Sequence, residues 1–266
     1  MRISVVTISF NQVKYLKQCI DSVLSQNYCD IEYIVVDPGS TDGSREVVES
    51  YGNKINRIFQ KDAGPADGLN KGFNVASGDI FCYLNSDDVF LPGAMTSVSK
   101  FFLKRKLVDV VCGHGHVIDG NSNYRRKVFS DSFSLGAAAY GAALAIQPST
   151  FFRKEIYRRI GGFNVSNKSN WDGELLIDMA LAKANIEILN EFLSCYRVHI
   201  ESITGSARLA DAHTAHTDKM FEKIMGRPYH KNDNLLKFFY RVKKHISNPV
   251  ATLERVMHGP IFGSQN

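Results

Sequence analysis

Two adjacent aspartates at the end of an apolar run are the clearest candidates for chemistry in this sequence. Asp87 and Asp88 follow residues 80–84, which have the composition of a buried strand. Carboxylates placed there can face an incoming ligand, and their hard oxygens suit Mg²⁺ or Mn²⁺, ions that bridge phosphates and neutralise a departing diphosphate. The alternative is a solvated turn whose aspartates cap the helix predicted near Pro92.

A second polar segment, D-P-G-S-T-D-G-S at residues 37–44, follows another short apolar run. Its Gly and Pro residues force a turn, and Asp42 or Ser44 is expected to cap the helix that follows. Asp37 stands at the strand tip itself, where its carboxylate is free to accept a hydrogen bond from a nucleotide base.

The elements that must position these residues alternate regularly. Apolar, β-branched runs predict strands at 3–8, 33–36, 55–59, 80–84 and 108–112, and apolar residues at helical spacing lie between them. This alternation predicts an α/β fold with a mostly parallel sheet covered by helices on both faces. Ligands bind beyond the carboxyl ends of such strands, so we expect one crevice to collect the polar clusters that follow them.

The second half of the chain is organised differently. A segment rich in Gly, Ala and Ser at 135–145 precedes a helix predicted from about 171 to 184. We therefore predict one main domain at 1–225, divided into a half at 1–115 and a half at 116–225.

The remaining residues, 226–266, are predicted to form a tail. Within it, apolar residues alternate with Lys, Arg and His over 235–258, a pattern typical of a basic amphipathic helix. Such a helix either lies on an anionic membrane surface as a peripheral contact or packs on the main domain or a second subunit.

Composition excludes several classes of protein. A chain of 266 residues with 44% hydrophobic residues suits one α/β domain with an appendage, and a net charge of +5 does not require a nucleic-acid partner. The five scattered cysteines form no C-x-x-C pair, which argues against a disulfide framework and favours a cytoplasmic location. We expect neither a signal peptide nor a membrane span, because a strand pattern begins at residue 3 and no apolar run reaches about 18 residues.

Four short motifs occur in order within the first 100 residues. They read V-V-T-I-S-F-N at 5–11, D-P-G-S-T-D-G-S at 37–44, D-G-L-N-K-G at 67–72 and L-N-S-D-D at 84–88. In this order and at these separations they resemble the signatures of family 2 glycosyltransferases. The resemblance implies a GT-A fold, a Rossmann-like sheet flanked by helices, and inverting transfer of a sugar from a nucleotide diphosphate to an acceptor hydroxyl. It also implies that 1–225 is the catalytic domain, with the nucleotide sugar bound by the half at 1–115 and the acceptor by the half at 116–225.

The resemblance also implies roles for residues that bind the donor. Thr7 and Ser9 are expected to line the nucleotide pocket, Asp37 to hydrogen-bond the uracil or an equivalent base edge, and Lys71 to lie near the base or the diphosphate. Asp87 is expected to lean towards both the ribose and the metal ion.

The metal ligands implied by the resemblance are Asp87, Asp88 and a later histidine, His199, with Mn²⁺ or Mg²⁺ as the cofactor. Asn85 occupies the first acidic place of the family's D-x-D motif, a departure that bears on metal affinity and on the ligand set. A small polar loop at 202–206 is expected to cover the diphosphate. Arg197 is either a phosphate contact or a surface cation.

The segment N-W-D-G-E-L-L at 170–176 resembles the family motif that supplies the catalytic base. Inversion requires a carboxylate opposite the leaving group to take the proton of the acceptor hydroxyl. Asp172 is the candidate, with Glu174 as the alternative base, and the competing interpretation is that Asp172 only caps a helix. Residues 147–150 and Trp171 are candidates for the acceptor wall, although Trp171 also suits the core.

The leading interpretation is a hexosyltransferase that uses a UDP sugar and a saccharide acceptor, lipid-linked if the tail contacts the inner face of the cell membrane. The resemblance fits bacterial surface-polysaccharide synthesis. The alternatives are a nucleotidyltransferase, a dinucleotide-dependent oxidoreductase, or a non-catalytic module that binds sugar nucleotides. The sequence has neither a G-x-G-x-x-G nor a G-x-x-x-x-G-K-[ST] loop, so phosphates must be held by a metal ion and not by a glycine-rich loop. This disfavours the nucleotidyltransferase and the oxidoreductase.

Overall fold

The computed structural model describes residues 1–199 and 210–259, without the side chains of residues 210–216. The strands are β1 Ile3–Ile8, β2 Ile31–Val36, β3 Asn56–Ile58, β4 Ile80–Tyr83, β5 Val89–Phe90, β6 Val110–Asp119, β7 Tyr124–Val128, β8 Thr150–Arg153 and β9 Ile186–Val198. The helices are α1 Val13–Leu24, α2 Ser44–Ser50, α3 Pro65–Val75, α4 Ala94–Lys104, α5 Leu135–Ala139, α6 Lys154–Arg159, α7 Trp171–Leu181, α8 Ala210–Met225, α9 Asp233–Ser247 and α10 Pro249–His258.

The described strands form one sheet in the order β3-β2-β1-β4-β8-β6-β9-β5, with β7 paired to β6. The four strands at the β3 end run parallel, so their carboxyl ends meet at one edge. Beyond β4 the sheet is mixed, because β8 runs antiparallel to both of its neighbours while β9 runs parallel to β6. The predicted α/β architecture is confirmed. Of the strands in antiparallel pairs, β7 and β8 come from the half of the sequence where the alternation stops, and the short β5, which pairs antiparallel with β9, comes from the first half.

Side-chain alternation along each strand builds a core on both faces of the sheet. One core packs α1 and α4 against β1 through residues such as Leu16, Ile20 and Val98, and the other packs α3 on the opposite face through Leu69 and Phe73. Helix α3 approaches the sheet closely at Gly72, where an added Cβ would lie 2.5 Å from Val6 Cγ1. The predicted strands and helices of this half are present in the expected order.

The tail forms two helices rather than the single helix that the sequence pattern predicted. The helical run is interrupted at Asn248, whose side chain accepts a hydrogen bond from Ala251 N, and Pro249 is the first residue of α10. Proline has no backbone N–H to donate within a continuing helix, but the first turn of a helix does not need that donor. Pro249 therefore ends the run of α9 and begins α10. None of the helices in the described part of the chain is long and apolar enough to cross a membrane.

Candidate active site

A cleft of about 670 Å³ lies at the edge of the sheet where the parallel strands β1, β2, β3 and β4 end. The residues that line it directly follow these strands or come from α7 and β9. They are Ile8, Ser9, Phe10, Gln12, Pro38, Lys61, Asp62, Gly64, Pro65, Asn85, Ser86, Asp87, Asp88, Trp171, Tyr196 and Arg197. The single crevice expected beyond the strand ends is therefore present.

The loops after β1 and β2 are tied together beside this cleft. Asn11, which has a left-handed φ of 52°, donates its backbone N–H to Ser40 Oγ and accepts from Thr41 N through its side chain. Asparagine tolerates that backbone region better than other non-glycine residues, which lets the chain reverse and leaves Phe10 at the cleft with 60% of its surface exposed.

Three buried oxygen atoms at the ends of β1, β2 and β4 have no hydrogen-bond partner among the described residues: Ser9 Oγ, Asp37 Oδ2 and Asp88 Oδ2. Ser9 and Asp88 line the cleft, whereas Asp37 is not a lining residue and precedes Pro38, which is one. Asp37 is fully buried, and its other oxygen accepts from the backbone N–H groups of Gly39 and Ser40 at 2.9 and 2.8 Å. Unpaired buried oxygens are costly to a protein, so these three atoms at adjacent strand ends are candidates for hydrogen bonding to a ligand.

The two candidate metal-binding aspartates have different environments. Asp88 is 1% exposed, and Arg197 N donates to its Oδ1 at 2.8 Å. Burial, together with the adjacent Asp87 carboxylate, raises the pKa of Asp88 well above its ordinary value. Asp87 is more accessible, and its Oδ2 lies 3.1 Å from His199 Nε2. Among the described residues, no three His, Cys, Asp or Glu side chains converge as a metal-binding group.

Arg197 fits neither of the roles considered for it from the sequence. The residue is 1% exposed, so it is not a surface cation. Its guanidinium donates to Asp87 O at 2.7 Å, Asp119 O at 3.0 Å, Ser122 Oγ at 2.8 Å and Gln18 Oε1 at 2.7 Å, so four of its five N–H donors are already used inside the protein. Arg197 therefore braces the turn that carries the two aspartates instead of reaching for phosphate.

Thr7 and Lys71 are not part of the cleft wall. Thr7 points to the opposite side of β1 from Ile8, into the core, where its Oγ1 lies 3.0 Å from Tyr33 OH. Strand alternation is the reason, since Ile8 then faces the cleft and Thr7 cannot. Lys71 Nζ contacts Asp67 Oδ2 at 2.6 Å and the Lys61 carbonyl at 2.8 Å, so it supports the loop of Lys61 without lining the cleft.

The two candidate bases lie in the first turn of α7 and differ in accessibility. Asp172 is half-buried and follows Trp171, which lines the cleft. Glu174 is 3% exposed, and its carboxylate accepts hydrogen bonds from the Asn164 and Asn167 amides and from Lys223. Burial by itself raises the pKa of Glu174, but these hydrogen bonds outweigh it and hold the pKa below its ordinary value. The structure thus gives Glu174 a packing role, whereas Asp172 adjoins the cleft residue Trp171 without being a lining residue itself.

Other expected contacts have mixed outcomes. Trp171 does form part of the cleft, whereas Gln147 braces the end of β4 by donating to Tyr83 O at 2.9 Å and accepting from Asn85 at 3.0 Å. The polar loop at 202–206 lies outside the described residues. Sequence reasoning missed Lys61 and Asp62, although they follow a predicted strand and the strand-end rule applies to them equally.

Comparison with known proteins agrees with this geometry. The model of the family described as glycosyl transferase family 2 matches residues 4–161. This chain therefore belongs to glycosyl transferase family 2. An uncharacterized glycosyltransferase from Nostoc sp. is 31% identical over 211 residues, which are 75% of this chain and 65% of that protein. The chain thus matches slightly less than two thirds of that relative's length.

Solved structures share the fold at low sequence identity. TarS 1–349 from S. aureus, in complex with UDP-GlcNAc, has a TM-score of 0.71 at 18% identity, with 98% of this chain and 77% of that chain covered. The mannosyltransferase PcManGT from Pyrobaculum calidifontis, in complex with GDP-Man and Mn²⁺, has a TM-score of 0.65 at 17% identity, with 97% and 73% covered. These likenesses confirm the expected GT-A fold.

Proposed function

We propose that this protein transfers a hexose from a nucleotide diphosphate to an acceptor hydroxyl with inversion at the sugar carbon. The observation that carries the proposal is the set of three buried, unpaired oxygens at the ends of parallel strands, on Ser9 and Asp88 in the cleft wall and on Asp37, which precedes the cleft residue Pro38. They follow three different strands, so an elongated ligand with donors or a cation along its length would satisfy them together.

UDP is the proposed nucleotide. The free Oδ2 of Asp37 accepts a hydrogen bond, and uracil offers an N–H on the edge that a strand-end carboxylate can reach. Asp37 is held for this purpose by two backbone N–H groups and by Arg45 Nε at 3.2 Å. The structural neighbour TarS was solved with UDP-GlcNAc, which supports the same class of donor.

Mn²⁺ or Mg²⁺ is the proposed cofactor, held by Asp87, Asp88 and His199. These residues fit a cation shared with a substrate, because hard divalent ions often bind one or two carboxylates and take their remaining ligands from phosphates and water. Bound there, the ion would supply positive charge to the departing diphosphate. The free Oδ2 of Asp88 is the donor atom that supports this assignment best.

Asp172 is proposed as the catalytic base. Its carboxylate takes the proton from the acceptor hydroxyl while the acceptor oxygen forms a bond to the anomeric carbon. The bond from that carbon to the diphosphate oxygen breaks, and its electron pair leaves with the diphosphate. Trp171, beside it in the cleft wall, offers an aromatic face for the acceptor sugar.

The acceptor is proposed to be a lipid-linked saccharide in surface-polysaccharide synthesis, used at the cytoplasmic face of the membrane. Support for this part comes from the basic and apolar tail helices. Nucleic acid is not a proposed partner.

The decisive experiment compares two variants in UDP release from UDP sugars with Mn²⁺ and a saccharide acceptor. Asp172→Asn should lower kcat at least about 100-fold, the scale of general base catalysis, while UDP affinity measured by calorimetry is retained. Glu174→Gln is the matched control, and its main effect should be on stability. Equal kcat for Asp172→Asn and the natural protein would overturn the base assignment. UDP binding with no release from any donor would support a binding module instead of an enzyme.

A further inference from the structure

Helices α9 and α10 attach to the rest of the protein through their polar side, which leaves their apolar side facing solvent. On α9, the inward positions Asp233, Lys237, Tyr240 and Lys244 recur at helical spacing. The outward positions are the hydrophobic ones. On α9 these are Leu235 at 75% exposure, Leu236 at 44%, Phe238 at 66%, Phe239 at 57%, Val242 at 38% and Ile246 at 72%.

Helix α10 repeats this arrangement. Its exposed apolar side chains are Val250 at 65%, Leu253 at 58%, Val256 at 76% and Met257 at 60%, whereas Ala251 is 1% exposed. We call the exposed apolar residues of α9 and α10 together the outer face. A helix of a soluble protein normally buries its apolar stripe against the core. Single exposed leucines need no explanation, but ten exposed hydrophobic residues on two consecutive helices require one.

Specific polar contacts hold the helices in this orientation. Asp131 forms ion pairs with Lys244 Nζ of α9 and Arg255 Nη2 of α10, each at 2.9 Å. These pairs attach both helices to the catalytic domain. Asp233 accepts from Tyr140 OH at 3.0 Å, and the Tyr240 ring stacks on the Tyr140 ring with centroids 5.3 Å apart. These contacts use the inward side chains, so the outer face cannot turn inward without breaking them.

The charges of this segment favour an anionic partner. Residues 231–259 contain six Lys or Arg and two Asp or Glu, which accounts for four of the chain's five net positive charges. Both acids point inward: the Asp233 side chain is 4% exposed, and that of Glu254 is 13% exposed. Arg241 and Lys243 are both exposed, with Lys243 at the rim of the cavity between α9 and the domain, and neither makes an ion pair within the described residues.

We propose that the outer face inserts into the surface of an anionic lipid bilayer, with Arg241 and Lys243 paired to lipid phosphates. Apolar side chains with interleaved cations and no exposed acid match the requirements of an interfacial helix, which buries its apolar side at the acyl boundary and attracts anionic headgroups. The two alternatives posed by the sequence are compatible with this attachment, because the helices pack on their own domain through their polar side and leave the apolar side available to lipid. This inference concerns location and goes beyond the transfer reaction.

The test is sedimentation of the full chain with vesicles of phosphatidylcholine alone or mixed with phosphatidylglycerol. The natural protein should bind the mixed vesicles and release them at high salt. The variant Phe238→Ser/Ile246→Ser should lower the partition coefficient at least about tenfold, because partitioning scales with buried apolar area. Arg241→Gln/Lys243→Gln should weaken binding to mixed vesicles selectively.

The matched control is Leu103→Ser/Leu107→Ser, which removes two apolar residues of 60% and 86% exposure outside the two helices and should leave vesicle binding unchanged. Unchanged binding by the Phe238/Ile246 variant, or equal binding to both kinds of vesicle, would overturn the proposal. A lipid-free dimer that this variant converts to a monomer would identify the outer face as an interface between copies. Thermal unfolding checks that each variant folds. Vesicle binding requires no nucleotide-sugar donor, so failure of this proposal can be distinguished from failure of the proposed transferase activity.

Discussion

Replacing Arg197 by lysine should both destabilise the protein and weaken donor binding. The guanidinium makes four side-chain hydrogen bonds, to Asp87 O, Asp119 O, Ser122 Oγ and Gln18 Oε1. A single ammonium group cannot reach acceptors spread around a planar fork, so at least two of them lose a buried donor. At about 1 to 3 kcal/mol for each unpaired acceptor, the free energy of unfolding should fall by about 3 kcal/mol.

For a chain of this size, that loss corresponds to a drop in Tm of about 6 to 12 °C, measured by thermal unfolding. Because Arg197 also holds the backbone of Asp87, Arg197→Lys should weaken Mn²⁺-dependent UDP binding about tenfold or more in calorimetry at a temperature where the variant is folded.

The matched control is Arg153→Lys. The Arg153 guanidinium likewise donates to backbone carbonyls, including Val108 O at 2.7 Å and Lys106 O at 3.2 Å, but it does not line the cleft. This variant should lose stability and keep its UDP affinity. An unchanged Tm for Arg197→Lys would refute the assigned bonding, and a lower Tm with unchanged UDP affinity would refute the positioning role.

Three further predictions concern the metal site, acid sensitivity and core packing. Asp88→Asn should raise Tm without divalent ions, because it removes the cost of ionising a buried carboxyl group beside Asp87. It should also abolish the increase in Tm expected when Mn²⁺ is added to the natural protein, and an equal Mn²⁺ response would exclude Asp88 as a ligand. The pKa of Glu174 is lower in the folded than in the unfolded protein, so the ionised carboxylate stabilises the fold. This stabilisation is complete at pH values above the unfolded-state pKa and is lost as the pH falls through the folded-state pKa. The free energies of unfolding of the natural protein and Glu174→Gln should therefore differ by about 1 to 2 kcal/mol at pH 7 and converge as the solution is acidified below the folded-state pKa of Glu174, and a constant difference in urea unfolding would contradict this. Gly72→Ala should cost about 1 to 3 kcal/mol in urea unfolding, because its Cβ would meet Val6 Cγ1 at 2.5 Å, and a neutral result would show that this contact relaxes freely.

The location of the site was predictable from the sequence because it depends on local patterns and one topological rule. Short apolar runs mark the parallel strands, and the residues that follow them meet at one edge whatever the details of packing. Ser9, Asp87 and Asp88 were found in this way, and they line the cleft. Lys61 and Asp62 obey the same rule and were overlooked because no chemical motif drew attention to them.

The individual side-chain environments were not predictable in the same way. Whether Glu174 is a base or a packing residue depends on Lys223, which lies 49 positions away in the sequence. Whether Arg197 binds phosphate or braces a turn depends on its distance from residue 87, 110 positions earlier. Such pairings are set by long-range packing, and no local pattern encodes them.

The tail illustrates the same division. Its amphipathic, basic character is a property of residue order and was determined by the sequence alone. Only the tertiary structure decided which side of α9 and α10 meets the protein, because that choice depends on Asp131 and Tyr140, which the fold presents to the polar side chains of the tail. Periodicity specifies that a helix has two sides; the partner surface determines which of them remains exposed.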